Sequence, residues 1–93
     1  MSDTPETGTE RLLEFPCEFP IKIMGRDTVE FHVIARGLVE KHTGPLADDA
    51  IRRSLSRKGR FVSITITVTA ESQEQLDAIY RDVSGHEDVL VAL

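Results

Sequence analysis

One unbroken alternation, over residues 61–70, constrains the fold more than any other part of the chain. Its apolar members would share one face of a strand, and they are Val62, Ile64, Ile66, Val68 and Ala70. The residues between them would share the other face, and they are Phe61, Ser63, Thr65, Thr67 and Thr69. A period of two in residues that are mostly β-branched is typical of a strand with one buried face. The segment therefore predicts a central strand of a sheet that is covered on one side.

Two amphipathic helices are predicted to supply that cover. Residues 28–42 carry an apolar stripe at helical spacing, formed by Phe31, Ile34, Ala35, Leu38 and Val39. Asp27 opens a sequence with the spacing of a capping box, which places the start of this helix. Residues 73–84 carry a second apolar stripe, and a capping box of the standard kind begins at Ser72.

Three further strands are predicted beside the first. Residues 18–24 alternate, and Pro20 should mark the start of regular pairing because proline lacks a backbone N–H. Residues 46–56 fit a helix slightly better than a strand by local propensity. We nevertheless predict a strand over residues 50–56, because the glycine-containing segment 56–60 is a compact hairpin connection into the central strand. The apolar segment 89–93 is predicted to dock as the last strand.

The predicted order is therefore strand, helix, strand, strand, helix, strand. Two split βαβ units of this kind make an α+β ferredoxin-like sandwich. Right-handed crossovers place both helices on one face of a four-stranded antiparallel sheet with strand order 4-1-3-2. A chain of 93 residues has room for one such domain, predicted at residues 12–93. Residues 1–11 are polar and acidic, so they predict a disordered tail.

Composition limits the classes of function and the compartment. The net charge of −5, from 16 acids and 11 bases, argues against a dedicated nucleic-acid binder, because such domains are usually basic. Cys17 is the only cysteine, which excludes an intrachain disulfide and fits a reducing compartment. The N-terminus lacks the features of a signal peptide, and no apolar run approaches the ~20 residues of a membrane helix. We therefore expect a cytoplasmic protein.

Several short segments, in their order and spacing, resemble the YbeD-like family of small uncharacterised bacterial proteins. The segments are Leu12–Pro16, Met24–Gly25, Ser56–Gly59 and Val62–Ile66. The resemblance covers about residues 12–93 and implies a ferredoxin-like fold, similar to regulatory ACT-type domains that bind small metabolites. The acidic tail and the arginine-rich segment 52–60 depart from the family pattern. The resemblance implies no catalytic residue, because no activity is established for the family.

The residue pattern itself predicts no catalytic, metal or cofactor site. Zinc ligands usually come in closely spaced pairs, whereas His32 and His42 are ten positions apart. Cys17 has no base near it in sequence to activate its thiol. We therefore expect a non-enzymatic protein without cofactors or bound metal.

Two segments are candidate binding sites. Gly25 and Arg26 precede the first helix, where the resemblance to ACT-type domains implies a ligand and the free N–H groups would favour an anion. A plain strand–helix turn is the alternative there. The second segment holds five of the eleven bases, which are Arg52, Arg53, Arg57, Lys58 and Arg60. It predicts docking of an anionic group or an acidic protein partner. Two alternatives stay open: a solvated edge, and contact with the chain's own acidic tail.

A regulatory or adaptor module that binds a small metabolite or a protein partner is the favoured function. The alternative is an RRM-like nucleic-acid-binding module that uses the basic segment 52–60, because residues 58–62 partly match the RNP1 pattern. That pattern needs further aromatic side chains on the open face, and Phe61 is followed there by Ser63 and Thr65. The same polar face predicts a monomer or a weak homodimer.

Overall fold

A computed structural model describes residues 13–56 and 58–93. These residues form β1 (Cys17–Arg26), α1 (Val29–Thr43), β2 (Ile51–Leu55), β3 (Phe61–Ala70), α2 (Gln73–Ser84) and β4 (Val89–Ala92). The four strands are antiparallel in the order β2-β3-β1-β4, which is the predicted order read from the other edge. The predicted α+β ferredoxin-like fold is confirmed. The predicted tail, residues 1–11, lies outside the described residues.

The core lies between the sheet and the two helices. Every second residue of β3, from Val62 to Ala70, is at most 2% exposed, as the alternation predicts. Ile21 and Ile23 of β1 lie beside them and are fully buried. The helices contribute Phe31, Ala35, Val39, Leu76, Ile79 and Val83 to the same cluster. The opposite face of the sheet carries the serine and threonine side chains of β3.

The two helix starts were predicted with different success. Ser72 caps α2 as predicted, because its Oγ accepts a hydrogen bond from the N–H of Gln75 at 3.1 Å. The prediction that Asp27 caps α1 is wrong by one residue. Thr28 is the cap, and its Oγ1 accepts from the N–H of Phe31 at 3.0 Å. The N–H of Asp27 still donates to the hairpin that enters β3, so the chain has not yet left the sheet at that residue.

Pro20 lies within the β1–β3 ladder, which begins three residues earlier at Cys17. The prediction that it marks the start of pairing is therefore wrong. Lys22 exchanges both main-chain hydrogen bonds with Leu93 on the β4 side of β1. Alternate residues of a strand direct their main-chain groups the same way, so the nitrogen of Pro20 also faces that side. It therefore costs the β1–β3 ladder no hydrogen bond.

The ambiguous segment, residues 46–56, contains both kinds of structure. Residues Asp48–Ala50 form one turn of 3₁₀ helix, and β2 follows at once. Gly59 has φ of +73°, a conformation that glycine adopts without strain, and it turns the hairpin between β2 and β3. The predicted strand is thus confirmed in place of a helix. No helix within the described ranges is long and apolar enough to cross a membrane.

Candidate functional site

β2 is the outermost strand at one edge of the sheet. Arg52 and Ser54 lie opposite open-face residues of β3, so their side chains also lie on the open face. Arg53 and Leu55 lie opposite buried residues of β3, so their side chains are on the helix side. Both are nevertheless exposed, and Leu55 keeps 59% of its surface in contact with solvent. β2 therefore adds little to the core and presents both of its faces to solvent.

Alternate residues of β2 direct their main-chain N–H and C=O groups away from the sheet. The N–H of Ser56 donates to the carbonyl of Phe61 at 2.8 Å, and residues two apart along a strand direct their main-chain groups the same way. Arg52 and Ser54 therefore bond to β3. The N–H and C=O groups of Arg53 and Leu55 point outward. The outer edge of β2 thus has main-chain groups in position to pair with a further strand.

A hollow lies on each side of β2 near Leu55. The hollow on the helix side has a volume of about 260 Å³ and is lined by Asp27, His32, Arg53, Leu55 and Val62. The hollow on the open face has a volume of about 230 Å³ and is lined by Met24, Ser54, Leu55, Ser56, Phe61, Val62 and Ser63. The Oγ of Ser63 is buried and has no hydrogen-bond partner among the described residues.

The hairpin between β2 and β3 continues the basic charge of β2. The exposed bases of this region are Arg52, Arg53, Lys58 and Arg60. None of them takes part in the ion pairs found among residues 13–56 and 58–93. Arg57, predicted to belong with them, lies outside the described residues. We name Arg52, Arg53, Lys58 and Arg60 together the basic edge.

Arg26 joins this region through the register of the sheet. It lies on β1 opposite Phe61 of β3. Its guanidinium carbon is 5.8 Å from the centre of the Phe61 ring, a cation–π distance. The local pattern assigns Arg26 to a different candidate site, because it does not show the pairing of β1 with β3. The two predicted sites therefore meet at the hairpin end of the open face.

Gly25 is required by close packing. A Cβ at this position would lie 2.5 Å from Cε1 of Phe31 and 2.7 Å from the carbonyl oxygen of Asp88. Beside it is a hollow of about 370 Å³, lined by Arg26, Thr28, Glu30, Phe31, Glu87, Asp88 and Leu90. Three carboxylates around one guanidinium oppose the anion expected there. Ligand binding at Gly25 and Arg26 stays a prediction.

An ion cluster that sequence reasoning missed joins the two helices. Oδ2 of Asp82 on α2 is 2.6 Å from Nε2 of His42 and 3.1 Å from Nζ of Lys41, both on α1. The hydrogen bonds from His42 and then Lys41 hold the pKa of Asp82 below its ordinary value. His32 is bound to Asp27 at 2.7 Å. Within the described ranges, no three metal-binding side chains converge.

Comparison with known proteins gives a family and a fold. The family model described as "Protein of unknown function (DUF493)" matches residues 10–93. A UPF0250 protein of Chromobacterium violaceum is 43% identical over 84 residues, covering 90% of this chain and 94% of the relative. A UPF0250 protein of Leptothrix cholodnii is 38% identical and covers 100% of both chains. The solution structure of protein HP0495 from H. pylori has a TM-score of 0.72 at 16% identity, covering 100% of this chain and 98% of that chain.

Proposed function

The chain belongs to the DUF493 family, as its YbeD-like motifs predicted, and from this premise we propose a non-catalytic adaptor that binds an acidic segment of a protein partner. The binding surface is the basic edge together with the hairpin end of the open face. The observation that carries the proposal is the exposure of all four bases in a protein whose net charge is −5.

Electrostatics supports an acidic partner. In an acidic protein, a local cluster of bases reverses the sign of the surface potential and attracts acidic groups during encounter. Charges at the rim of an interface act mainly on the association rate and make it sensitive to salt. The ion pairs of the described residues lie on the helices, the β1–α1 connection and the 3₁₀ turn. The basic edge therefore keeps its charge available.

A protein partner is favoured over the RRM-like alternative by the distribution of aromatic rings. Of the aromatic residues on the described strands, Phe61 lies on the open face, whereas Phe19 packs edge-on against Tyr80 on the helix side. Sequence-tolerant binding of single strands relies on stacking successive bases on several rings. One ring beside a row of hydroxyls supports stacking of one base at most.

A charge-matched pair of variants tests the proposal. Lys58→Ser with Arg60→Ser removes two bases from the hairpin, and the control Lys41→Ser with Arg81→Ser removes two from the helix layer. Partners captured by the full chain should be lost with the hairpin variant and kept with the control. Their association should weaken as salt rises and should survive nuclease treatment.

Two results would count against the adaptor. Equal capture by the hairpin variant and the full chain would show that the basic edge is only a solvated edge. Loss of capture on nuclease treatment would move the assignment to nucleic acid. Both variants should stay within about 0.5 to 1 kcal/mol of the parent in free energy of unfolding, because they alter exposed side chains and at most one surface ion pair.

A further inference from the structure

We infer that the acidic partner binds as an added β-strand along the outer edge of β2. This inference rests on the proposed function and specifies the conformation and chemistry of the partner. Its first support is the main chain, because the outward N–H and C=O groups of Arg53 and Leu55 are spaced to pair with a strand. Main-chain pairing at a free sheet edge is a recurrent way to bind an extended peptide.

The two hollows beside Leu55 supply the second support. Successive side chains of an added strand would point alternately to the helix side and to the open face of the sheet. The hollow of about 260 Å³ receives side chains on the helix side, and that of about 230 Å³ receives those on the open face. In strand addition, affinity comes from the main chain and specificity from pockets for alternate side chains. β2 provides both elements.

The side chains of β2 specify the partner's residue types. Cross-strand neighbours lie on the same face, so partner residues opposite Arg52 and Arg53 should be acidic. The partner residue opposite Ser54 meets the open-face hollow, where it contacts Met24 and Phe61, and should be apolar. The partner residue opposite Leu55 meets the helix-side hollow, where Leu55 and Val62 supply the apolar contacts, and should be apolar as well. Read from its own N-terminus, an antiparallel segment would therefore carry two apolar residues followed by two acids.

A second copy of the chain fits this edge poorly. Antiparallel pairing of two β2 strands would bring four arginines together, and a two-fold axis centred on Arg53 would place the two Arg53 side chains directly opposite each other. Like charges directly opposite on paired strands are destabilising. The edge is therefore better suited to a segment of opposite charge.

The test measures binding of a synthetic peptide, acetyl-Thr-Val-Val-Glu-Glu-Thr-amide, to the full chain, and amide NMR follows the titration. A second peptide with lysine in place of glutamate is the charge control. Leu55→Pro removes one outward N–H, whereas Leu55→Ala keeps that N–H and removes most of the side chain. Proline is tolerated at this position because the missing N–H is not part of the β2–β3 ladder. The acidic peptide should bind Leu55→Pro about tenfold more weakly than Leu55→Ala, the effect of one lost hydrogen bond.

Binding should also slow hydrogen exchange at the amides of Arg53 and Leu55 in the unaltered chain, a result that does not depend on how Leu55→Pro folds. Equal affinity of the two Leu55 variants, or unchanged exchange at these amides, would refute the added strand while leaving docking through the basic edge intact. Failure of the peptide to bind the unaltered chain, equal binding of the lysine peptide, or a stable dimer formed through β2 would also overturn it. Failure of the proposed function would appear separately, as equal capture of partners by the hairpin variant and the full chain.

Discussion

The two edge strands of the sheet, β4 and β2, occupy equivalent positions and are built differently. Three kinds of contact hold β4 and the residue after it in place. Val89 and Ala92 are half-buried against the core, and Leu93 exchanges two main-chain hydrogen bonds with Lys22. The hydroxyl of Tyr80 on α2 donates to the carbonyl of Leu93 at 2.9 Å. β2 has one half-buried residue, Ile51, and four exposed ones.

The comparison shows which edge depends less on the core and carries the bases. The half-buried side chains of Val89 and Ala92 couple β4 to the core, although Leu90 and Val91 are exposed. β2 buries little apolar surface, and segments of that kind have low local stability and tolerate functional substitutions. The arginines of β2 also keep this edge from pairing with unintended strands. The binding surface therefore lies where the fold depends least on the side chains.

The largest expected effect is at Gly25, where β1 pairs with β4. Gly25→Ala should destabilise the protein by about 1 to 3 kcal/mol, because the new Cβ would lie 2.5 Å from the Phe31 ring and 2.7 Å from the carbonyl oxygen next to β4. Gly37→Ala is the matched control, since a Cβ there meets nothing within 4 Å. In the interior of α1, that change should stabilise by about 0.5 to 1 kcal/mol. Urea unfolding of both variants measures the difference, and equal stabilities would refute the close packing.

A smaller, pH-dependent effect is expected in the helix layer beneath the sheet. The pKa of Asp82 is lowered in the folded protein, so its ion cluster stabilises the fold above the ordinary value of 3.8. That contribution is lost as the pH falls through the lowered pKa. Asp82→Asn should therefore destabilise the protein at neutral pH and make little difference at a pH well below 3.8.

Unfolding measured across this pH range checks the prediction. Asp77→Asn removes one acid from the same helix, and an asparagine oxygen there can still accept the hydrogen bond from Gln73. If Asp82→Asn and Asp77→Asn show the same pH dependence, the contact between α1 and α2 adds no stability. Both variants should bind a partner at β2 equally well.

The fold was largely predictable because its main signals are local. The alternation of residues 61–70 and the two helical stripes each specify one element, and the order of elements then allows few topologies. β2 needed that topological argument, because Asp48–Ala50 does form a helical turn. The cap at Thr28 and the role of Pro20 depend on which main-chain groups bond to another strand. No local pattern contains that information.

The candidate site was only half predictable. The bases of the basic edge are adjacent in sequence, so their concentration was visible at once. The meeting of Arg26 with the hairpin follows from the β1–β3 register, and the contact between His42 and Asp82 joins residues 40 positions apart. The outward groups of Arg53 and Leu55 are main-chain atoms, which composition does not report.

Amide hydrogen exchange of the free protein tests most directly whether the outer edge of β2 is unpaired. The N–H groups of Arg52 and Ser54 bond to β3 and should exchange clearly more slowly than those of Arg53 and Leu55. The amides of Arg53 and Leu55 should exchange nearly as fast as in an unstructured peptide, because they point outward. Equal protection along β2 in the free protein would contradict the account, because its outer edge would then already be paired.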